Sequence, residues 1–276
     1  MPSGSESIRA GPLVQALVVF FVKVRDQKYV RRLWKPSPGI MSASNLCIKV
    51  KPYDNMAEAH TMQFIAQQTS IPVPKVICAF THKGKTYIVM SKIDGQMIGR
   101  GWNNRPEKSK RRILEQLQAM VAELRGIPPP DGTGVGNVNG GPFCDCRLPS
   151  KLHWGPYTSV RDFHEALANG ANMDLEYENL PEGMPELFRF YRQSSNVLVF
   201  SHGDLSSLNI LARGDELVGI IDWETAGWFP PYWEYTCAKY ANPQNAFWAD
   251  EVDHFLPAMP YELKMENTRR QYFGAF

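Results

Sequence analysis

The segment from Ser201 to Asp222 holds the densest set of residues whose types could do chemistry. Asp204 lies in Ser201-His-Gly-Asp204, Asn209 follows it closely, and an apolar run ends just before Asp222. Between Asn209 and Asp222, two short apolar runs flank the strong turn sequence Arg213-Gly-Asp-Glu216. This pattern predicts a β-hairpin that begins at Asn209 and ends before Asp222. The two ends of an antiparallel hairpin lie side by side, so these two side chains are expected at one spot.

Three oxygen-bearing side chains that converge at strand ends suit a hard cation. Mg²⁺ prefers oxygen ligands, usually one or two carboxylates together with phosphates and water. The loop that contains Asp204 leads into the same spot as Asn209 and Asp222. A carboxylate held beside the metal, but not bound to it, can orient a hydroxyl nucleophile and accept its proton. These residue types therefore predict phosphoryl transfer to a hydroxyl group.

The elements upstream of this segment are predicted as a strand, a helix and a hairpin. The apolar run Leu46–Val50 is typical of a strand. Residues 55–68 are predicted as a helix, and Asn55 and Glu58 have the spacing of a capping box. Glu58 lies at the edge of the helix's apolar face, where a nearby lysine would offset most of the cost of burial. Two further strands are predicted at Val76–Phe80 and Tyr87–Met90.

The rest of the chain is predicted to be mainly helical. Residues 126–156 are rich in Gly and Pro and show little periodicity. A loop of that length is unusual in a compact domain, so it could be a lid, a substrate loop or an ordered wrap. The predicted helices cover 107–125, a short stretch opened by Ser159-x-x-Asp162, and 185–194.

The composition limits the classes of function. The 276 residues are 43% hydrophobic and 21% charged, as in soluble globular proteins, and the net charge of +2 gives no indication of nucleic-acid binding. Five scattered cysteines favour free thiols in a reducing compartment over a disulfide framework. We therefore expect a cytoplasmic protein.

The N-terminal segment contains an apolar run, Leu13–Val22, interrupted by Gln15. This run is shorter than the roughly 20 residues that span a membrane. Its basic residues follow it, whereas those of a signal peptide precede the apolar run. We expect a packed helix in a protein that is not secreted. The basic cluster after it is either a solvated helix face or a site for phosphate or an anionic membrane surface; it consists of Lys23, Arg25, Lys28, Arg31, Arg32 and Lys35.

The motifs together resemble a known family. His202-Gly-Asp204-x₄-Asn209, followed by Ile-Ile-Asp222-Trp-Glu224, resembles the aminoglycoside phosphotransferase family within the protein-kinase-like fold. The flanking sequences Thr69–Pro74 and Gly227–Tyr235 resemble its fungal branch. The resemblance covers roughly residues 40–276 and implies an α+β fold of two lobes. The expected lobes are a small β-rich N-lobe, 1–92, and a larger, mainly helical C-lobe, 93–276.

The resemblance also implies a role for each residue of the set. Asp204 matches the catalytic aspartate, and Asn209 and Asp222 match the ligands of Mg²⁺. Lys49, near the end of its strand, matches the lysine that contacts the phosphates of ATP or GTP. Glu58 matches the ion-pair partner of that lysine.

The nucleotide-binding loop departs from the kinase pattern. No Gly-x-Gly-x-x-Gly precedes Lys49, and residues 36–45 hold one glycine and three serines. Backbone amides and hydroxyls of this loop, including Ser42 and Ser44, could still cover phosphates. The segment Ile88–Gly95, with Met90 and Ile93, suits a lobe connector whose backbone contacts an adenine edge.

Three functions remain open from the sequence. The first is a kinase that acts on a small molecule. The second is a protein kinase, which is disfavoured because Gly203 replaces the Arg of His-Arg-Asp and no Ala-Pro-Glu follows Asp222. The third is a kinase-shaped binding protein without turnover. Oligomeric state is not indicated.

The acceptor site is poorly specified by the sequence. A polycationic aminoglycoside needs acidic residues, and a flatter metabolite suits aromatic ones. Both kinds could equally be ordinary surface or core residues. The acidic candidates are Glu234, Asp250, Glu251, Asp253, Glu262 and Glu266, and the aromatic ones are Trp228, Trp233, Tyr235 and Trp248.

Overall fold

The computed structural model describes residues 7–27, 40–148, 151–175, 177–240 and 246–274. Within these residues the strands lie mostly in the N-terminal part and around the predicted hairpin. They are β1 (Ile40–Ala43), β2 (Leu46–Lys51), β3 (Val76–His82), β4 (Lys85–Ser91), β5 (Gln96–Met97), β6 (Gly136–Asn137), β7 (Val199–Ser201), β8 (Ile210–Arg213), β9 (Glu216–Ile220) and β10 (Gly227–Phe229).

The helices lie mostly in the C-terminal part, which makes the fold α+β, as predicted. The α-helices of the described residues are α1 (Pro12–Arg25), α2 (Ala57–Gln68), α3 (Glu107–Arg125), α4 (Val160–Leu167), α5 (Met184–Gln193), α6 (Trp233–Lys239), α7 (Ala246–Glu251) and α8 (Pro260–Phe273). Short 3₁₀ turns lie at Trp102–Asn104, Trp223–Thr225 and Val252–His254.

The N-terminal sheet is antiparallel, with the strand order β1-β2-β4-β3. Lys49 pairs with Ile88, and Ile48 pairs with Val89. Because successive residues of a strand point to opposite faces, the two pairs lie on opposite sides of the sheet. Ile88 joins the main hydrophobic core, and Ile48 and Val89 join a separate cluster. The face that carries Lys49 is therefore turned towards the body of the protein.

Helix α1 covers the other face of this sheet with only one of its sides. Val19 and Val22 are buried in the cluster with Ile48 and Val89, whereas Leu13 and Phe20 are 74% and 67% exposed. The expectation of a packed helix is thus correct for its inner side and wrong for its outer side. Of the basic cluster, Lys23 is exposed and Arg25 is buried, while Lys28, Arg31, Arg32 and Lys35 lie outside the described residues.

The start of α2 differs from the prediction. The helix begins at Ala57, whose N–H is accepted by the side-chain oxygen of Asn55 at 2.8 Å. The predicted capping box does not form, because the Glu58 carboxylate points to two lysines of β2 instead. Glu58 is buried and has lysine partners, as predicted from its position at the edge of the apolar face of the helix.

The predicted hairpin is confirmed as β8 and β9. Ile210 pairs with Ile220 and Arg213 with Glu216, so the turn lies at Gly214 and Asp215. β5 extends this sheet beside β8, and a second small sheet has the order β6-β10-β7. The hairpin packs against α3, which is amphipathic as predicted and buries Ile113, Leu117 and Val121, among others.

The Gly- and Pro-rich segment 126–156 forms an ordered wrap in its described part. β6 pairs with β10, and isolated bridges join Val135 to Tyr157 and Phe143 to Trp154. The Phe143 ring packs edge-on against Phe229 at 4.9 Å between centroids. The segment is therefore tied to the core, and it brings polar side chains towards the predicted site.

The described residues contain no helix that is both long and apolar enough to cross a membrane. All five cysteines carry free thiols.

The start of α4 contains a complete capping box. The Ser159 side chain accepts the N–H of Asp162 at 3.1 Å, and the Asp162 carboxylate accepts the N–H of Ser159 at 3.1 Å. We expect Ser159→Ala to lower the free energy of unfolding by about 1 kcal/mol, because the N–H of Asp162 loses its partner. Urea denaturation measures this change. Ser159→Asp, which keeps an N-cap acceptor, is the control, and an unchanged midpoint in the alanine variant would contradict the assignment.

Candidate active site

The loop that carries Asp204 is held by the histidine two residues before it. His202 is fully buried, its Nδ1 accepts the N–H of Asp204 at 3.1 Å, and its Nε2 lies 3.0 Å from the Ile221 carbonyl oxygen. Burial lowers the pKa of His202 to about 4. A neutral ring with its proton on Nε2 satisfies both contacts, so His202 fixes the loop and is not placed to act as a base.

Gly203 is required by the backbone at this point. Its φ is +79°, and a Cβ on this residue would lie 2.8 Å from the Thr225 carbonyl oxygen. Arginine, the residue of the protein-kinase motif, therefore does not fit here. The N–H groups of His202 and Gly203 donate to the buried Glu234 carboxylate at 2.5 and 3.1 Å.

The hairpin brings Asn209 and Asp222 together as predicted. The N–H of Ile221 donates to the Asn209 carbonyl at 2.9 Å. The Asn209 amide donates to the Asp204 carbonyl and to its carboxylate at 3.0 and 2.8 Å, which leaves the amide oxygen of Asn209 for a ligand. Asp222 has left-handed backbone angles, φ 66° and ψ 59°, a conformation that costs free energy and is often found at active sites.

Lys49 lies among three carboxylates. Its Nζ is 2.8 Å from Glu58, 2.6 Å from Asp222 and 3.4 Å from Glu224. Burial alone would lower the pKa of Lys49, but these three carboxylates raise it above its ordinary value, so the lysine stays charged. One ammonium thus links β2, α2 and the segment after the hairpin.

Lys51 and Glu224 lie beside Lys49, and the sequence did not assign a role to either of them. Lys51, buried two positions further along β2, reaches Glu58 at 3.1 Å and Glu224 at 3.2 Å. Carboxylate oxygens of Glu58, Asp222 and Glu224 lie within 4.8 Å of one another, which is close enough to hold one cation. The period of two along a strand could have indicated Lys51, since it lies on the same face as Lys49.

Asp145 and Arg147 form a second group that the sequence did not indicate. The Arg147 guanidinium donates to both Asp145 oxygens at 2.8 and 2.7 Å, and also to the Gly203 carbonyl. Asp145 is 2% exposed. The ordered wrap therefore contacts the backbone of the Asp204 loop through a buried ion pair. The side chains are far apart in sequence from Asp204, so spacing could not reveal them.

Burial raises the pKa of the Asp204 carboxyl to about 6, while the nearby Arg147 guanidinium lowers it. Asp222, a second carboxylate in the site, raises it further. A carboxylate with this pKa is mostly ionised at neutral pH and is a better proton acceptor than an exposed aspartate.

A cavity of about 540 Å³ lies between the N-terminal sheet and the hairpin. Of the predicted nucleotide contacts, Lys49, Glu58, Met90 and Ile93 line it, and so does Asp222. Ser42 and Ser44 do not line it. Both are exposed, Ser42 in β1 and Ser44 in the β1–β2 turn, where its φ is +52°. Residues 36–39 of the predicted phosphate loop lie outside the described residues.

Most of the acceptor candidates have structural roles. Trp228, Trp233, Tyr235 and Trp248 are each at most 3% exposed. Among the acidic residues, Glu234 binds the backbone of the Asp204 loop and Glu266 pairs with Arg269. Glu251 accepts from Trp102, and Asp253 from Tyr235 and Lys239. The burial of the aromatic side chains and the contacts of the acidic ones indicate structural roles. They do not favour a dedicated pocket for a polycation.

The side chains that face this cavity and its edge fit a magnesium ion and a nucleoside triphosphate. Asn209, Asp222 and Glu224 offer oxygen atoms, the type of ligand that Mg²⁺ prefers. Lys49 provides a positive charge at the cavity wall for phosphate oxygens. Part of the cavity wall is apolar, at Met90 and Ile93, and suits the face of a base.

Comparison with known sequences agrees with this geometry. The family model described as Phosphotransferase enzyme family matches residues 19–261. An aminoglycoside 3'-phosphotransferase of Niallia circulans is 27% identical over 157 residues, which cover 57% of this chain and 53% of that protein. One of Enterococcus faecalis is 27% identical over 186 residues, covering 63% and 60%. The chain thus spans little more than half the length of these curated relatives.

Comparison with solved structures shows the fold. A crystal structure of aminoglycoside phosphotransferase APH(4)-Ia has a TM-score of 0.57 and 16% identity, covering 91% of this chain and 88% of that chain. A thermostable mutant of that protein, in a ternary complex with ADP and hygromycin B, also gives 0.57 at 16% identity, covering 87% and 88%. The predicted kinase-like fold is thereby confirmed.

The buried pair of Asp145 and Arg147 has a measurable consequence. We expect Arg147→Met to lower the free energy of unfolding by about 3–5 kcal/mol, because it leaves the buried Asp145 carboxylate without its partner. The double variant Asp145→Leu, Arg147→Met removes both charges and should recover much of this loss. Urea denaturation measures all three proteins.

The matched control for this experiment is Arg213→Met. Arg213 pairs with Asp94 at 3.0 Å, and the two side chains are 64% and 96% exposed. Loss of such an exposed pair should cost less than about 1 kcal/mol. Equal effects of the Arg147 and Arg213 substitutions would show that the buried pair does not hold the wrap.

Proposed function

Because the chain belongs to the phosphotransferase enzyme family, we propose that it is a small-molecule kinase that transfers the γ-phosphoryl group of ATP, or of GTP, to an alcohol. The observation that carries the proposal is the hydrogen bond between Asn209 and Asp204, at 2.8 Å, beside Asp222 and Lys49. It supports the proposed roles of these residues as a proton acceptor, metal ligands and a phosphate-binding cation. Relatives named aminoglycoside 3'-phosphotransferases support the reaction class.

In the proposed reaction Asp204 orients the acceptor hydroxyl and accepts its proton. Its carboxylate is oriented by the hydrogen bond from Asn209, its N–H is bound by His202, and Glu234 fixes the backbone of the two preceding residues. The oxygen of the acceptor attacks the γ-phosphorus, the bond to the β–γ bridging oxygen breaks, and the nucleoside diphosphate leaves with that oxygen. These groups supply positioning, which is most of what phosphoryl transfer needs from a protein.

Bound Mg²⁺ would supply charge neutralisation at the phosphate oxygens, and Asn209 and Asp222 are the proposed ligands. Glu224 adds a further carboxylate at this place. Lys49 contacts the nucleotide phosphates in the proposal, and Glu58 keeps it in position. Lys51 pairs with the other carboxylate oxygen of Glu58 at 3.1 Å and so helps to neutralise the glutamate that positions Lys49.

The nucleotide is proposed to lie in the 540 Å³ cavity. Met90 and Ile93 are the proposed base contacts. The β1–β2 turn, with Ser42 and Ser44, is proposed to cover the phosphates, although neither serine lines the cavity. We assign the N-lobe to 1–92 and the C-lobe to 93–276, with the cavity between them.

The acceptor is proposed to be a small metabolite or an aminoglycoside-like molecule. Two relatives at 27% identity are named aminoglycoside 3'-phosphotransferases. Carboxylates of the C-terminal part that already have partners within the protein, such as Glu234 and Glu266, favour a less cationic acceptor. The motifs at Thr69–Pro74 and Gly227–Tyr235 support a fungal-type member. Free thiols support a cytoplasmic location.

Removal of the proposed base tests the function. We expect Asp204→Asn to retain the thermal shift produced by Mg²⁺ with ATP or GTP, and to lose turnover by about 10²–10⁴-fold, because the amide cannot accept the proton. Turnover is measured as nucleoside diphosphate formed with a library of alcohols. Asp174→Asn, at an exposed carboxylate, is the matched control. A wild-type protein with no shift from either nucleotide would contradict the kinase proposal, and full turnover in Asp204→Asn would contradict the base.

The pKa of Asp204 predicts the pH dependence. Because burial raises this pKa to about 6, the ionised base is present above pH 6 and is lost as the pH falls through that value. We expect kcat/KM to decrease about tenfold for each pH unit below about 6. The nucleotide also titrates near this pH, so the residual rate of Asp204→Asn is the baseline for comparison. Identical pH profiles of the two proteins would show that Asp204 is not the titrating group.

A further inference from the structure

The outer side of helix α1 is an apolar surface that the rest of the described protein does not cover. Leu13, Leu17, Phe20 and Val24 recur at the spacing of one helix face and are 74%, 59%, 67% and 36% exposed. Phe21, beside them, is 37% exposed. We call these five residues the α1 outer face. Contiguous apolar surfaces of this kind mark sites of interaction with proteins or membranes.

The inner side of the same helix is already occupied. Val19 and Val22 pack on the sheet cluster that contains Ile48, Phe80 and Val89. The polar side chain of Gln15 is also used, because its Nε2 donates to the Ala10 carbonyl at 2.8 Å. The helix is therefore formed and anchored before any partner arrives, so docking on its outer face needs no folding step.

The charges around the outer face are basic. Helix α1 contains no acidic residue, and Lys23 is exposed at its C-terminal end. Arg9 is exposed just before its start. In the sequence, further basic residues follow the helix, and Asp26 is the single acidic residue among them. These basic residues lie outside the described residues and are Lys28, Arg31, Arg32 and Lys35.

We propose that the α1 outer face docks on an anionic phospholipid surface. Its leucine and phenylalanine side chains would enter the boundary between headgroups and acyl chains, and Arg9 and Lys23 would face the anionic headgroups. A second copy of this chain is the weaker candidate, because helix α1 offers no acidic residue to meet the Lys23 of the other copy.

The size and position of the helix fit a surface contact. Fourteen residues make a helix about 21 Å long, shorter than a bilayer core of about 30 Å, so α1 lies on the membrane and does not cross it. It covers the sheet face of Ile48 and Val89, whereas Lys49 and Met90 point from the other face into the cavity. Docking therefore leaves the cavity open.

Flotation of the full chain with lipid vesicles tests the proposal. We expect binding to phosphatidylcholine vesicles that contain phosphatidylserine to be at least about tenfold tighter than to phosphatidylcholine alone, and to weaken in high salt. The variant Leu17→Glu, Phe20→Glu should lose at least about tenfold in affinity for the anionic vesicles, because it places charge where apolar side chains enter the lipid. Lys23→Glu should lose about fivefold.

The matched control is Leu175→Glu, Val197→Glu. These two residues are both 55% exposed and lie outside α1, so they provide the same number of apolar-to-acidic changes. This control should bind as the wild type does. All variants are checked for unchanged thermal midpoints, and Lys23→Glu provides a separate test should the double variant fail to fold.

Three results would overturn the proposal. They are no binding to anionic vesicles, equal binding by the wild type and the α1 double variant, and equal affinity for charged and uncharged vesicles. Sedimentation velocity is run in parallel. Self-association that disappears in the α1 double variant, without vesicle binding, would instead assign the face to a second copy.

Discussion

The arrangement of the site depends on the ammonium group of one lysine side chain, which is 13% exposed. Lys49 lies within 2.8 Å of both Glu58 and Asp222, and these residues come from a strand, a helix and the end of a hairpin far along the chain. Carboxylates packed this closely are costly without a cation between them. The lysine therefore holds together the elements on either side of the cavity, and it also holds the place that a metal ion and phosphates would compete for.

The loop of Asp204 is fixed by a different principle. Its short backbone segment is satisfied by two groups from distant parts of the chain, the Glu234 carboxylate and the Arg147 guanidinium, and by the ring of His202 within the loop itself. A buried backbone N–H or carbonyl that lacks a partner is costly, so each of these groups adds to the rigidity of the loop. Thus the Asp204 carboxyl group, whose pKa is raised by burial, is set on a backbone that has little freedom to move.

The parts of the site that could be predicted from sequence are those built by local geometry. The hairpin follows from two apolar runs around a turn, and it alone brings Asn209 to Asp222. The capping box at Asn55 was wrong, because Glu58 gains more from two lysines in the folded protein than from the helix end. Arg147 could not be found, since its contact with Gly203 joins residues with no pattern between them.

The outer side of α1 shows a similar limit. Its apolar residues predicted burial. Hydrophobicity, however, indicates that a side chain tends to leave water and does not indicate which surface covers it. The inner residues find the sheet, and the outer ones remain exposed. The apolar pattern therefore predicted the helix correctly, but it predicted the surroundings of only one side of the helix.

We propose that Asp222, held by Lys49 in this structure, would become a metal ligand when a nucleotide binds. Calorimetry with a non-hydrolysable ATP analogue, with Mg²⁺ and with a chelator, tests it in the wild type and in Asp222→Asn. The account predicts that Mg²⁺ tightens binding to the wild type at least about tenfold, or about 1.4 kcal/mol, and that the variant loses most of this gain. Equal affinity with and without Mg²⁺, or a full gain in the variant, would contradict it.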